Sequence, residues 1–339
     1  MVFQQQIAVI GAGSWGTALT KLVSDKGVRV RLWGHRREHV EKIRREKENS
    51  TYLPGVVLSE NVEVVEDIEE AVKDLSTILM VVPSHVYRQV FEKIVPFLEN
   101  KTIIISATKG IENETLLTMT QVMAEVLEKS GKKADIAVLS GPSFAKEVAR
   151  QTPTAVTVAA HDEEVVRQIQ QIFYTERFRV YGSRDVIGLE LGGALKNIIA
   201  IAAGICDGLG FGTNTRAALI TRGLAEITRL GVKMGADPLT FSGLGGLGDL
   251  VLTCTGELSR NRTVGLKLGQ GKKLAVILEE MEMVAEGVKT TKSAWALARK
   301  QKVEMPILEQ IYQVLYRDKS CEEAVHSLLL RDLKEEIYF

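Results

Sequence analysis

Ile7–Val23 reads IAVIGAGSWGTALTKLV, a short apolar strand, a glycine turn and the opening turns of an amphipathic helix. Gly11, Gly13 and Gly16 have the G-x-G-x-x-G spacing of a dinucleotide-binding turn. The first glycine turns tightly, the second lets a pyrophosphate approach the backbone, and the third packs helix against strand. N–H groups at the helix start, together with its positive dipole end, then hold the phosphates. The spacing alone also occurs as a chance glycine turn. The strand before it and the helix after it favour the nucleotide reading.

Such a site normally has a carboxylate about twenty residues on, against the ribose hydroxyls. The second strand, Val28–Trp33, ends near that distance, and Gly34-His35-Arg36-Arg37 follows it with no carboxylate. A guanidinium binds phosphate bidentately, so this strand end suits a ribose 2′-phosphate better than a free diol. Arg36, nearest the strand, is the expected contact. The competing reading is a solvated basic start to the next helix. The missing acid also counts against a flavin.

At 339 residues the chain can form two domains with separate cores. Its 43 basic and 43 acidic side chains cancel, and no block of like charge suggests a nucleic-acid or membrane surface. Cys206, Cys254 and Cys321 are odd in number and lack disulfide or zinc spacing, as expected in a reducing cytosol. The first strand leaves no room for a signal peptide, and the most apolar stretch, Ile198–Cys206, is too short to span a bilayer. A soluble cytoplasmic protein with no integral membrane segment is expected; a homodimer is compatible with the sequence.

Strand-like runs at Gln6–Ile10, Val28–Trp33, Val62–Val65, Thr77–Val82, Thr102–Ser106, Asp135–Leu139, Thr154–Ala159 and Phe178–Tyr181 alternate with helical segments. That alternation predicts a Rossmann-type, doubly wound α/β domain over residues 1–185. Helical periodicity dominates afterwards, predicting an all-helical domain over 186–339, with Pro306 opening one helix and a Ser320/Glu323 capping box opening another.

Ligands of doubly wound sheets sit beyond the carboxyl ends of the strands. There Lys109 follows the fifth strand, and Gly141-Pro142-Ser143-Phe144-Ala145 follows the sixth. On spacing alone Lys109 reads first as a solvated turn residue, and the second turn equally as a plain helix start. In the second half, LELGGALKNIIAIAAGICDGL (Leu189–Leu209) is apolar nearly all round, so it should be buried, with Lys196 in its middle. Burial lowers a lysine's pKa and brings it into general acid–base range. Gly192, Gly193 and Ala200 leave room for something to approach it. In FSGLGGLGDLVLTCTG (Phe241–Gly256), Asp249 ends a glycine run read as flexible; it is either a helix cap or a partner for Lys196. Ser259-Arg260-Asn261-Arg262 opens a helix with a hydroxyl, guanidinia and an amide, a phosphate site or simply a capped solvated helix. The five histidines have no metal-ligand spacing.

Taken in order, GAGSWG, the lysine after the fifth strand, GPSFA, GGALKN, GLGGLGD, SRNR and Val284-Ala285-Glu286-Gly287 closely resemble the soluble NAD(P)-dependent glycerol-3-phosphate dehydrogenases of bacteria. The resemblance spans essentially the whole chain. It implies interconversion of dihydroxyacetone phosphate and sn-glycerol 3-phosphate, mostly as reduction feeding phospholipid synthesis. It further implies that Lys196 is the general acid, that Lys109 polarises the same oxygen, and that Asn197 and Asp249 orient lysines and substrate. Ser259, Arg260 and Asn261 would take the substrate phosphate, with Gly141 and Ser143 also lining the substrate site. Ser14, Trp15, His35, Arg36, Ala145, Val284 and Glu286 would line the cofactor, with Lys109 and Arg260 reaching both ligands. NADP(H) is the expected cofactor on account of Arg36, with NAD(H) admitted. The β-hydroxyacid dehydrogenases also use a central helix lysine, but place an asparagine four residues later, where this chain has Ala200. A cofactor-binding redox sensor would have no use for a lysine in an apolar helix.

Overall fold

Eight short β-branched runs form one sheet in the computed structural model, which describes residues 6–281, 284–333 and 335–336. They are β1 (Gln6–Ile10), β2 (Arg29–Trp33), β3 (Val62–Val65), β4 (Thr77–Met80), β5 (Thr102–Ser106), β6 (Ala134–Ser140), β7 (Thr154–Ala160) and β8 (Phe178–Ser183). Their spatial order is β3-β2-β1-β4-β5-β6-β7-β8, parallel throughout except for β6 against β7. Every residue of β4 and β5 is buried, and strands covered on both faces read as continuous apolar runs. Among the helices between strands are α1 (Ser14–Ser24), α2 (Arg37–Glu46), α3 (Ile68–Val72), α4 (Tyr87–Ile94), α5 (Met119–Ser130), α6 (Ala145–Ala149) and α7 (Glu163–Phe173). Strand order reverses between β1 and β4, so the glycine turn after β1 sits at the switch point where such sheets bind ligands.

The second unit is helical: α8 (Val186–Gly208), α9 (Thr213–Lys233), α10 (Asp249–Thr255), α11 (Arg260–Gly269), α12 (Leu274–Glu279), α13 (Glu286–Gln301), α14 (Pro306–Tyr316) and α15 (Cys321–Leu329). The capping box at Ser320 and Glu323 is formed. By their contacts, residues up to Lys109 group with Met119–Val186, and Gly110–Thr118 groups with Ile187 onward. Gly110–Thr118, inside the 1–185 expected of the sheet domain, thus belongs with the helices. Ile111 explains the difference: it is 1% exposed in the helical unit's core, and its carbonyl accepts from Ser293 Oγ at 3.0 Å.

The nine most apolar residues of α8 are too short to span a bilayer, but the whole helix is not. Its 23 residues include a window of mean hydropathy 1.6, long and apolar enough to cross a membrane, but 94% of that window is buried inside the protein. It is the core helix of its unit.

Glu226 of α9 is buried, and it accepts the N–H groups of Ile307 and Leu308 at 2.7 and 3.2 Å, capping α14 where Pro306 starts it. Burial raises its carboxyl to about 7, against the opposing pull of those two bonds and of Arg229 and Arg331. A carboxyl raised on folding contributes stability that is present below its unfolded value and lost as pH rises through the folded one. Urea denaturation of the protein should therefore show stability falling between about pH 4.5 and 7, and Glu226→Gln should flatten that decline. An equal slope in the variant would assign it to other groups.

Candidate active site

In the sheet unit, Gly11 has φ +125°, a conformation side chains rarely adopt, and a Cβ there would stand 2.7 Å from the Val81 carbonyl oxygen. A Cβ on Gly16 would meet the Gly11 carbonyl oxygen at 1.9 Å. Gly13 is different: nothing lies within 4 Å of the Cβ it lacks. Two glycines thus pack the turn and the third leaves its outer face open, which is the division of labour a bound pyrophosphate requires. Helix α1 has no side-chain cap and no acid in its first turn, and Trp15 Nε1 is buried with no hydrogen-bond partner among the described residues. These features fit a dinucleotide.

The turn is held from behind by a residue the sequence reading missed. Asn49, fully buried, donates to the Ala12 carbonyl at 2.9 Å and to Thr17 Oγ1 at 2.7 Å. Its oxygen accepts from the Tyr52 N–H at 3.2 Å and lies 2.9 Å from His39 Nε2. With both amide hydrogens committed, the oxygen must accept from His39, so His39 carries its proton on Nε2. Ser14 Oγ donates to the Tyr52 carbonyl at 2.6 Å, tying the start of α1 to the same loop.

At the end of β2, the Arg37 guanidinium is engaged by Glu41 at 2.8 Å, while Arg36 Nε donates to His35 Nε2 at 3.2 Å. Partial burial lowers the His35 imidazole, with Arg36 and then His39 adding to the effect, so the ring is a neutral acceptor. Arg36 is exposed at the head of α2.

Beyond β5 and β6, Lys109 Nζ and Ser143 Oγ both donate to the Gly141 carbonyl, at 3.3 and 3.0 Å. Gly141 has φ +145°, and a Cβ would lie 2.9 Å from Val156 Cα, so the position requires glycine. Ala145 opens α6 behind this group.

In the helical unit Lys196 is 6% exposed, and its ammonium contacts Asp249 Oδ1 and donates to Thr253 Oγ1 at 2.8 Å. Thr253 in turn donates to the Asp249 carbonyl at 2.6 Å, so its oxygen lone pairs face the lysine. Asp249, fully buried, starts α10 without capping it; its carboxylate forms an ion pair with Lys196. The glycine run before it is not a flexible loop. A Cβ on Gly192 would stand 2.5 Å from the Gly245 carbonyl oxygen, and one on Gly245 would stand 2.0 Å from Leu189 Cδ1. The room beside Gly192 is filled by that loop, and close packing is what delivers Asp249 to the lysine. Thr253 was missed although it stands one helical turn after Asp249, which is the signal that could have found it.

Ser259 Oγ caps α11 by accepting the Arg262 N–H at 3.2 Å, which leaves its hydroxyl proton for another acceptor. Arg262 Nε donates to Asp207 Oδ2 at 2.7 Å, so its side chain is engaged; Arg260 is exposed. Asn261 is buried and its oxygen accepts the Gly287 N–H at 2.9 Å, which leaves its amide nitrogen as a donor. Gly287 follows Glu286 at the head of α13, and Val284 just before is exposed. Asn197 lies beside Lys196 on α8, 6% exposed. Burial pushes the Cys254 thiol up to about 12 and those of Cys206 and Cys321 to about 11, so none is a nucleophile at neutral pH. No metal-binding cluster occurs among the described residues.

Two family models match the chain: the N-terminal domain of NAD-dependent glycerol-3-phosphate dehydrogenase over residues 6–166 and its C-terminal domain over 185–326. The glycerol-3-phosphate dehydrogenase (NAD(P)+) of Citrifermentans bemidjiense is 58% identical over 332 residues, covering 98% of this chain and 99% of the relative. That of Geobacter sulfurreducens is 55% identical with the same coverage. The crystal structure of the Coxiella burnetii glycerol-3-phosphate dehydrogenase superposes with a TM-score of 0.94 at 41% identity, covering 97% of this chain and 100% of that one.

Proposed function

This chain belongs to the NAD-dependent glycerol-3-phosphate dehydrogenase family, and on that premise we propose that Lys196 is the acid–base group of its reaction. The enzyme interconverts dihydroxyacetone phosphate and sn-glycerol 3-phosphate with NAD(P). The cofactor, when bound, supplies the hydride and takes it back. Glycines 11, 13 and 16 with the start of α1 would hold its pyrophosphate, and Trp15 Nε1 would gain a partner.

In reduction, the Lys196 ammonium donates a proton to the carbonyl oxygen as that oxygen gains electron density; in oxidation, the neutral amine takes the proton from the hydroxyl. Asp249 pairs with the ammonium, and Thr253 fixes its direction. The observation that carries the proposal is this buried trio inside an apolar helix bundle: removing a cation from water costs several kcal/mol unless it is compensated, and here it is compensated by groups that also aim it. Asn197 stays in the proposal as an orienting neighbour, and Lys109, at the Gly141 carbonyl, as the second cation. Ser259, Arg260 and Asn261 present one hydroxyl, one guanidinium and one amide to the substrate phosphate, with Gly141 and Ser143 as further substrate contacts; Ala145, Val284 and Glu286 complete the cofactor set. Turnover of dihydroxyacetone phosphate, followed through nicotinamide absorbance, tests the whole reading. No turnover with either cofactor would overturn it.

NADP(H) preference, supply of glycerol 3-phosphate to phospholipid synthesis, a cytoplasmic setting and a homodimer belong to the same proposal. Arg36→Ala should weaken NADPH far more than NADH, because only NADPH carries the 2′-phosphate. One charge-assisted hydrogen bond is worth roughly 1.5–3 kcal/mol, about tenfold or more in affinity. Fluorescence titration with both cofactors checks this, and equal losses would show that Arg36 only shapes the strand end.

A further inference from the structure

Lys196 and the Ser259–Asn261 turn are mounted on two helices that touch backbone to backbone. A Cβ on Gly204 of α8 would stand 2.0 Å from the Arg262 carbonyl oxygen, and one on Gly265 of α11 would stand 2.0 Å from the Ile201 carbonyl oxygen. Beside this crossing, Arg262 Nε reaches across to Asp207 Oδ2 at 2.7 Å, while Asp207 Oδ1 is held by Arg216 of α9, whose Nε lies at 3.1 Å. Arg262 is thus joined to the turn through its N–H on Ser259 Oγ and to the lysine helix through its guanidinium. On the turn's other side, a Cβ on Gly287 would lie 2.7 Å from Asn261 Oδ1 and 2.8 Å from the carbonyl oxygen of Asn197, the neighbour of Lys196. The turn is therefore braced against the lysine helix on both sides.

We propose that Arg262, anchored on Asp207, is a positioning residue that sets the distance between the phosphate turn and the Lys196 ammonium. The site thereby selects phosphate esters by the number of atoms between carbonyl and phosphate. In dihydroxyacetone phosphate these are one methylene carbon and the ester oxygen. This rests on Ser259–Asn261 being the phosphate turn. A substrate that must touch both groups at once feels a change in their spacing; two separate pieces, dihydroxyacetone and phosphite dianion, do not, because each settles where it fits.

The test compares kcat/KM for dihydroxyacetone phosphate with phosphite activation of dihydroxyacetone turnover, in the full enzyme and in Arg262→Ala, Arg262→Lys and Arg260→Ala. Asp207 keeps Arg216 when Arg262 is removed, so no charge is stranded, and thermal unfolding confirms the fold. Should Arg262→Ala fail to fold, Arg262→Lys carries the comparison. Arg262→Ala is expected to lose about 10- to 100-fold on the connected substrate, the cost of a misplacement near 1 Å, and to keep most of the phosphite activation. Arg262→Lys should fall between, and Arg260→Ala should lose the activation altogether. An unchanged connected substrate overturns the inference, as does parallel loss of both activities in a folded variant. Loss of phosphite activation in Arg262→Ala equal to that in Arg260→Ala would make Arg262 a phosphate ligand and also overturn it. If phosphite fails to activate the unmutated enzyme, or still activates Arg260→Ala, the phosphate turn itself is wrong and the inference falls with it.

Discussion

Lys196→Met should stop turnover while leaving NADPH bound. The methionine keeps the side chain's length and apolar stem but has no proton to give, and the glycine turn proposed to hold the cofactor lies in the sheet unit. General acid–base groups contribute about 10²- to 10⁴-fold, so kcat should fall by at least that order. A second effect has to be separated from the first. Asp249 is fully buried and loses its cation in this variant. Stranding a buried carboxylate costs roughly 3–5 kcal/mol, enough to threaten the fold of the bundle. The paired variant Lys196→Met/Asp249→Asn removes both charges and should regain thermal stability without regaining rate. Near-normal kcat in either protein would take Lys196 out of the mechanism.

Arg260→Ala should strike the substrate harder than any other change in the phosphate turn. The reacting carbonyl of dihydroxyacetone phosphate carries no charge, so the remote phosphate supplies most of the binding energy. That energy also holds the carbonyl in place, and its loss should lower kcat as well as raise KM. Unphosphorylated dihydroxyacetone should accordingly be a very poor substrate of the unmutated enzyme. The quantity to measure is the ratio of kcat/KM between the two substrates, which Arg260→Ala should shrink. An unchanged ratio would remove Arg260 from the phosphate site. With Arg262 already committed to Asp207, attention would then move to the Gly141–Ser143 turn.

Much of this protein is legible from residue types alone. Buried parallel strands announce themselves as apolar runs, so the sheet and the turn after β1 could be read off directly. A lysine inside an apolar helix and a carboxylate ending a glycine run are equally conspicuous. Less legible are features that depend on what a residue meets. Gly192 and Gly245 look like slack in the chain, but each is small because backbone or side chain from the other element occupies the space. Thr253 gains its meaning only once Asp249 begins a helix and places the two one turn apart. Asn49 is one of many loop asparagines until the fold buries it against Ala12 and Thr17. At the end of β2, an ion pair with Glu41 distinguishes Arg37 from Arg36, which the residue types alone do not show.

Gly110–Thr118, grouped with the helices yet encoded inside the sheet unit, bears on how the chain is made. Ile111 must wait for Ser293, 182 residues later. At ribosomal speeds of about 5–20 residues per second, that is a delay of roughly 10–40 s during which the segment has been synthesised but its partner has not. A polypeptide ending at Val186 would never receive that partner and would carry Ile111 uncovered. No single cut divides this protein into two self-sufficient pieces: the helical half, expressed alone, would lack part of its own core.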